Sequence, residues 1–368
     1  MVCAQALNPL LAGTPYKWGH VIHATWQAAA RLPLGMPRAN RVFTENHIYE
    51  IIPRARAHLP MPPTQTSNAI KLGIIGRTQR DNKVDLCHFV DMNSHGHTLA
   101  VCHTGDQLSK FYMEAQKKTT DAVKALVGLQ HLSLWEDRPT VARVVDLQAV
   151  INRIVYIYTN PSTAALCDSI EEYAGISSWN AFLSAEPSVD AEVTIQARWY
   201  PVSQIPQLPA RSLSPSQDNS LHRALLESKK AHSHPIVIKP FKWLEQFGIT
   251  SPLRIEYIRK QIIARVREIE RLNAAQRATA NTRCVPRAVQ LREPYMKPHN
   301  PKKKERKIYI LCSDKELRIQ IIREFKAIFA RCKECYKKAK EGLRVDWPPG
   351  TFIPWFPPGF AFPLETAA

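Results

Sequence analysis

Hydrophobic positions in this chain follow two different periods. Two apolar runs, Val84–Met92 and His95–Cys102, flank the polar break Asn93-Ser94 and predict a β-hairpin. Asn46–Ala55 predicts a first strand that Pro53 shortens or places at an edge. Thr140–Val145, Pro235–Lys239 and Arg306–Cys312 predict further short strands. Spacings of three and four predict the helices. Asn68–Arg80 turns Ile70, Ile74 and Ile75 inward, although Gly73 and Gly76 weaken it. Asp106–Val127 carries Leu108, Phe111, Ala122 and Leu126 on one stripe, and Asp146–Asn160 carries Leu147, Val150, Ile151, Ile154 and Tyr158. Pro252–Leu272 repeats Ile255, Ile258, Ile262, Val266 and Ile269 beneath a basic polar face. Ser313-Asp314-Lys315-Glu316 has capping-box spacing and opens a last helix that stops before Gly342. The proline-interrupted residues 1–40 read as an extension, Pro201–Asn219 as a linker, and Trp347–Pro363 as an extended tail on the surface.

Two of these elements carry candidate chemistry. Side chains alternate along a strand, so His95 and His97 leave one face two residues apart. Neutral imidazoles that close can share a cation. His-x-His is a loose pattern in a chain with 13 His, so the pair needs a partner elsewhere. In Asp146–Asn160, at ~100° per residue, Asn152, Tyr156 and Asn160 lie together opposite the apolar stripe. Pro161 closes this helix and biases Asn160 away from helical backbone, which frees the aim of its side chain. Cys332 and Cys335 fall on the stripe of the last helix and read as packing rather than as half of a zinc site.

Charge narrows the choice of partner. The 368 residues can bury a sizeable core, and the formal charge is +18. Most of that excess lies in Ser251–Gly350. A field concentrated in one region points to a polyanion, nucleic acid before anionic lipid. No apolar run approaches the ~20 residues of a membrane helix, and no secretory signal is evident, so a cytoplasmic protein with reduced thiols and no membrane partner is expected.

In this order the parts resemble a known family. Met92–Val101 (MNSHGHTLAV), a basic amphipathic helix, Trp135-Glu136-Asp137-Arg138, Arg153–Pro161 (RIVYIYTNP) and Asp168–Phe182 (DSIEEYAGISSWNAF) are together similar to the HUH single-tyrosine transposases. The REP-associated tyrosine transposases and their insertion-sequence relatives are the likeness meant. It covers about residues 46–182. It implies an α+β fold with a ferredoxin-like antiparallel sheet and helices on one face, followed by a basic, mainly helical C-terminal region. The divisions are then 1–40 extension, 41–185 catalytic domain, 186–220 linker and 221–368 C-terminal region.

The resemblance also assigns roles. His95 and His97 become metal ligands, Tyr156 the nucleophile, and Asn160 the position that offers a third ligand. The cofactor is Mg²⁺ or Mn²⁺, and the partner is single-stranded or hairpin DNA in a bacterial, nucleoid-associated setting, with room for a homodimer. The expected reaction is cleavage and rejoining of DNA through a 5′-phosphotyrosine link. Arg153 flanks the tyrosine and, with Lys110, Lys117 and Lys118, is a candidate for phosphate contact. Gly96 departs from the family pattern, whose middle position between the histidines is bulky and apolar. That departure keeps open a catalytically inactive nucleic-acid-binding descendant. A zinc protein using His88, His95, His97, His103 and Cys87 or Cys102 is the third reading.

Overall fold

The structure is a computed structural model that describes residues 42–136, 138–299 and 309–351. The expected extension 1–40, the start of the strand expected from Arg306 and the tail beyond Thr351 lie outside the described residues. The first half of the fold runs β1 (His47–Ile52), α1 (Gln65–Asn82), β2 (Asp85–Asp91), β3 (Gly96–Cys102), α2 (Gly105–Val127), β4 (Thr140–Val144) and α3 (Leu147–Thr163). After it come α4 (Trp179–Ser184), β5 (Val193–Ile195), β6 (Arg198–Trp199), α5 (Pro215–Leu226), β7 (His232–Ser233) and β8 (Ile236–Ile238). Last are α6 (Pro252–Thr279), α7 (Arg287–Leu291), β9 (Ile310–Leu311) and α8 (Lys315–Lys340).

One seven-stranded sheet has the order β5-β8-β2-β3-β1-β4-β9, and β6 pairs with β7 as a separate ribbon. The expected α+β arrangement of a sheet with helices and a helical C-terminal region is present. The sheet is mixed rather than purely antiparallel, because β8 joins β2 and β9 joins β4 in parallel. Helices also cover both faces, not one. On one face, Leu108, Phe111 and Tyr112 of α2 and Leu72 and Ile75 of α1 pack with Tyr49, Ile51, Ala100 and Cys102. On the other, Val150, Ile151 and Ile154 of α3 and Ile255, Ile258, Ile262 and Val266 of α6 pack with Ile48, Leu99 and Val101. Each large side chain so buried stabilises the fold by roughly 1.5–3 kcal/mol. The basic helix α6 therefore belongs to the core that seats α3.

Local sequence explains the ends. Thr104 and Gln107 make a reciprocal capping box on α2, and Thr64 accepts a hydrogen bond from Ser67 N at the start of α1. At α8 the cap is Asp314, which accepts from the backbone N–H groups of Glu316 and Leu317, rather than Ser313. Pro161 does not close α3, which runs on to Thr163. Its missing N–H falls in the last turn, and α6 holds that turn from outside. Arg277 Nη1 donates to the Ser162 carbonyl at 2.9 Å, and Asn273 donates to the Ser162 and Thr163 hydroxyls. Within Pro201–Asn219, read as a linker, Ile205 and Leu213 are buried in a third cluster with Ile70, Ala122 and Leu126, and α5 starts at Pro215 behind a Ser214 capping box.

Candidate active site

β1, β3 and α3 together build a polar site on the α3 face of the sheet. In the β1–β3 register Glu50 sits opposite Leu99, and alternation then puts Glu50, His97 and Leu99 on the same side as α3. His97 is buried, and its Nδ1 donates to Glu50 Oε1 at 2.9 Å. Its other nitrogen, Nε2, is buried with no hydrogen-bond partner. The ring of His95 lies beside it, 5.2 Å between centroids, and the ring of Tyr156 lies 5.4 Å away on the α3 side. The Arg153 guanidinium carbon sits 4.0 Å from the centre of the Tyr156 ring, and Arg153 also forms an ion pair with Glu50. Asn160, one turn beyond Tyr156, is buried and leaves its Nδ2 without a partner.

Electrostatics hold the histidines neutral and the carboxylate charged. Burial, then the neighbouring His97, Arg54 and His58, pushes His95 well below the usual imidazole range. Burial also lowers His97, against the pull of Glu50. Burial would raise Glu50, but Arg153 and His97 more than offset it and keep its carboxyl below the usual range. Neutral imidazoles with an unengaged lone pair are what a divalent ion requires, and a carboxylate on the far nitrogen fixes the tautomer of such a ligand. The buried amide of Asn160 offers an oxygen once its two ends are exchanged, since amide nitrogen and oxygen are interchangeable in shape. Two neutral imidazoles side by side and a buried amide on the neighbouring helix are donors of the kind a divalent ion takes.

The zinc alternative does not assemble. Among the described residues no group of three or more His, Cys, Asp or Glu could hold a metal. His88 is engaged instead with the Tyr158 hydroxyl at 2.7 Å and the Pro240 carbonyl at 3.0 Å, and His103 with Asp85 at 2.5 Å. A register shift between Leu86 and His88 places both Cys87 and His88 toward α3.

The lysines of α2 are not brought to the tyrosine. Lys110 pairs with Asp106 at 3.6 Å and Lys118 with Glu114 at 2.8 Å, while Lys117 is exposed. All three ride on the helix covering the opposite face of the sheet. Of the proposed phosphate contacts, only Arg153 is in the site. Gly96 leaves no void: a Cβ there would lie 3.3 Å from Asp91 Oδ1, and Asp91 is paired with the buried Lys71 at 2.5 Å. The Lys71–Asp91 ion pair takes up the space into which a side chain at position 96 would point.

Glu50 is the residue that sequence reasoning missed. Its signal is a lone carboxylate in the inward register of an apolar strand, between Ile48 and Ile52, where an unpaired charge would be expensive.

No family model matches the chain, and no curated protein is significantly similar to it. A solved structure similar to this chain is that of a REP-associated tyrosine transposase bound to a REP hairpin. The identity is 18% and the TM-score 0.34, over 40% of this chain and 86% of that one.

Proposed function

We propose that the chain is a metal-dependent DNA strand transferase that cleaves and rejoins single-stranded or hairpin DNA through Tyr156. One observation carries this reading. His97, with one buried nitrogen unpartnered and the other backed by Glu50, lies beside both the His95 ring and the ring of a tyrosine on an adjacent helix. A structural histidine would have both nitrogens engaged, as His88 does.

In the proposed reaction the Tyr156 oxygen attacks a DNA phosphorus in line. The new tyrosyl O–P bond replaces the P–O3′ bond, and the phenolic proton is lost as the departing 3′-oxygen gains one. Phenol is a weak nucleophile near neutral pH because its pKa is ~10. The guanidinium of Arg153 over the ring favours the phenolate, while its ion pair with Glu50 anchors it. A Mg²⁺ or Mn²⁺ ion held by His95, His97 and the Asn160 amide would draw charge from the scissile phosphate. The phosphotyrosine conserves the bond energy, so rejoining to another 3′-hydroxyl needs no ATP. Seating His97 and Glu50 on strands and Tyr156 on a packed helix keeps their spacing fixed.

The test is a covalent adduct, stable to denaturant, between the protein and a labelled hairpin-bearing single strand in Mg²⁺ or Mn²⁺. Tyr156→Phe should abolish it. An equal yield from Tyr156→Phe overturns the assignment. An inactive descendant would show salt-sensitive binding and no adduct from the unaltered chain on any single strand or hairpin.

A further inference from the structure

The β6–β7 ribbon lies outside the segment that resembles the transposases, and it is seated on α1 by two glycines. A Cβ on Gly73 would fall 2.0 Å from the Arg198 carbonyl oxygen, and one on Gly76 would fall 1.9 Å from that of His234. Only glycine allows helix and ribbon to approach this closely. The contact presses a ladder of rings against α1. Trp199 and His232 face each other in register across the ribbon and stack at 6.1 Å with 17° between planes. His234 follows, 6.2 Å from His232, and the Arg77 guanidinium carbon sits 5.0 Å from the centre of the Trp199 ring. The outermost ring, His232, is exposed, and the loop leading to it carries the exposed Lys229 and Lys230. Arg80 is exposed, lies 3.4 Å from the His234 ring nitrogens, and shares Asp81 with Arg77. Lys118 and Trp199 also line one cleft between α1 and α2, together with Asp121. This places one of the α2 lysines beside the ladder.

We infer that this ribbon is a base-stacking platform for single-stranded nucleic acid, with His232 as its outer ring. A flat exposed ring stacked on a rigid indole, with arginines along the same ladder and lysines in the loop leading to it, matches an unpaired base and the phosphates on either side of it. A duplex hides its base faces and would meet only the cations. An acidic peptide would satisfy the lysines and leave the exposed ring unused. The platform lies toward the face of the sheet away from Tyr156, and it depends on no part of the proposed cleavage.

The experiment is fluorescence anisotropy of the full chain with a labelled oligothymidylate strand, in EDTA so that no cleavage intervenes. His232→Ala should weaken binding about 5- to 140-fold, the range expected for losing one stacked base. His232→Phe should restore it. Because His232 is exposed, the circular dichroism of both variants should match that of the unaltered protein. Because the assay is run in EDTA and reads binding alone, loss of the platform and loss of the adduct are read separately. Unchanged affinity in His232→Ala overturns the inference, as does duplex DNA binding as tightly as the single strand.

Discussion

Replacing Glu50 by Gln keeps the shape of the side chain and removes its charge. In the native site that buried carboxylate accepts from His97 Nδ1 at 2.9 Å and neutralises Arg153, whose side chain is only 14% exposed. Breaking a buried ion pair from one side leaves the other charge without a partner and costs about 3–5 kcal/mol. Arg153 retains some access to solvent, so the lower end, about 3 kcal/mol, is expected. That is a large part of the 5–15 kcal/mol that typically separates folded from unfolded protein, as an order of magnitude. Urea denaturation followed by circular dichroism measures it. Isothermal calorimetry with Mn²⁺ supplies the second readout. Losing the group that orients a histidine ligand weakens metal binding about 10- to 100-fold. Adding Arg153→Met removes the stranded cation and should recover much of the lost stability, giving a coupling energy of about 1–3 kcal/mol. If Glu50→Gln is as stable as the unaltered protein, or if the double variant is no better than the single, Glu50 does not hold the site together.

Three other outcomes are expected. Burial pushes His88 from 6.5 down to about 3 in the folded protein, so the unfolded chain takes up its proton first as pH falls. Stability should therefore decline from pH 6.5 toward 3 by about 1.4 kcal/mol per pH unit from this group, and denaturation at several pH values should show His88→Gln lacking that slope. Asn160→Ala should raise the Mn²⁺ dissociation constant by about tenfold with the far-UV spectrum unchanged, and Asn160→Asp should lower it. Gly76→Ala should destabilise by about 1–3 kcal/mol in urea, because its methyl meets the His234 carbonyl, and should weaken single-strand binding together with it.

The parts of this structure with strong local signals were legible in the chain. The hairpin of β2 and β3, the amphipathic helices α2 and α3 and the one-sided placement of His95 and His97 all follow from period and turn chemistry. The rest depends on partners distant in sequence. Pro161 looks like a stop because the chain does not advertise that Arg277 and Asn273 of α6 will hold the turn beyond it. Gly73 and Gly76 look like weaknesses in a helix until the ribbon that rides on them is in place. Glu50 is visible as an oddity in its strand, but its meaning needs Arg153, which arrives only when α3 is laid over the sheet. The covering of the second face was hidden because a helix stripe shows that a face is buried, not which layer buries it.

The sheet ends on one side in β5, three residues long, and on the other in β9, two residues long. Rims this brief expose too few backbone amides and carbonyls to template another chain. Among the described residues, neither rim therefore offers a second copy a long edge on which to add a strand. Contact between copies through the described residues would then run through side chains on the helical layers, where it answers to surface substitution and ionic strength rather than to backbone pairing.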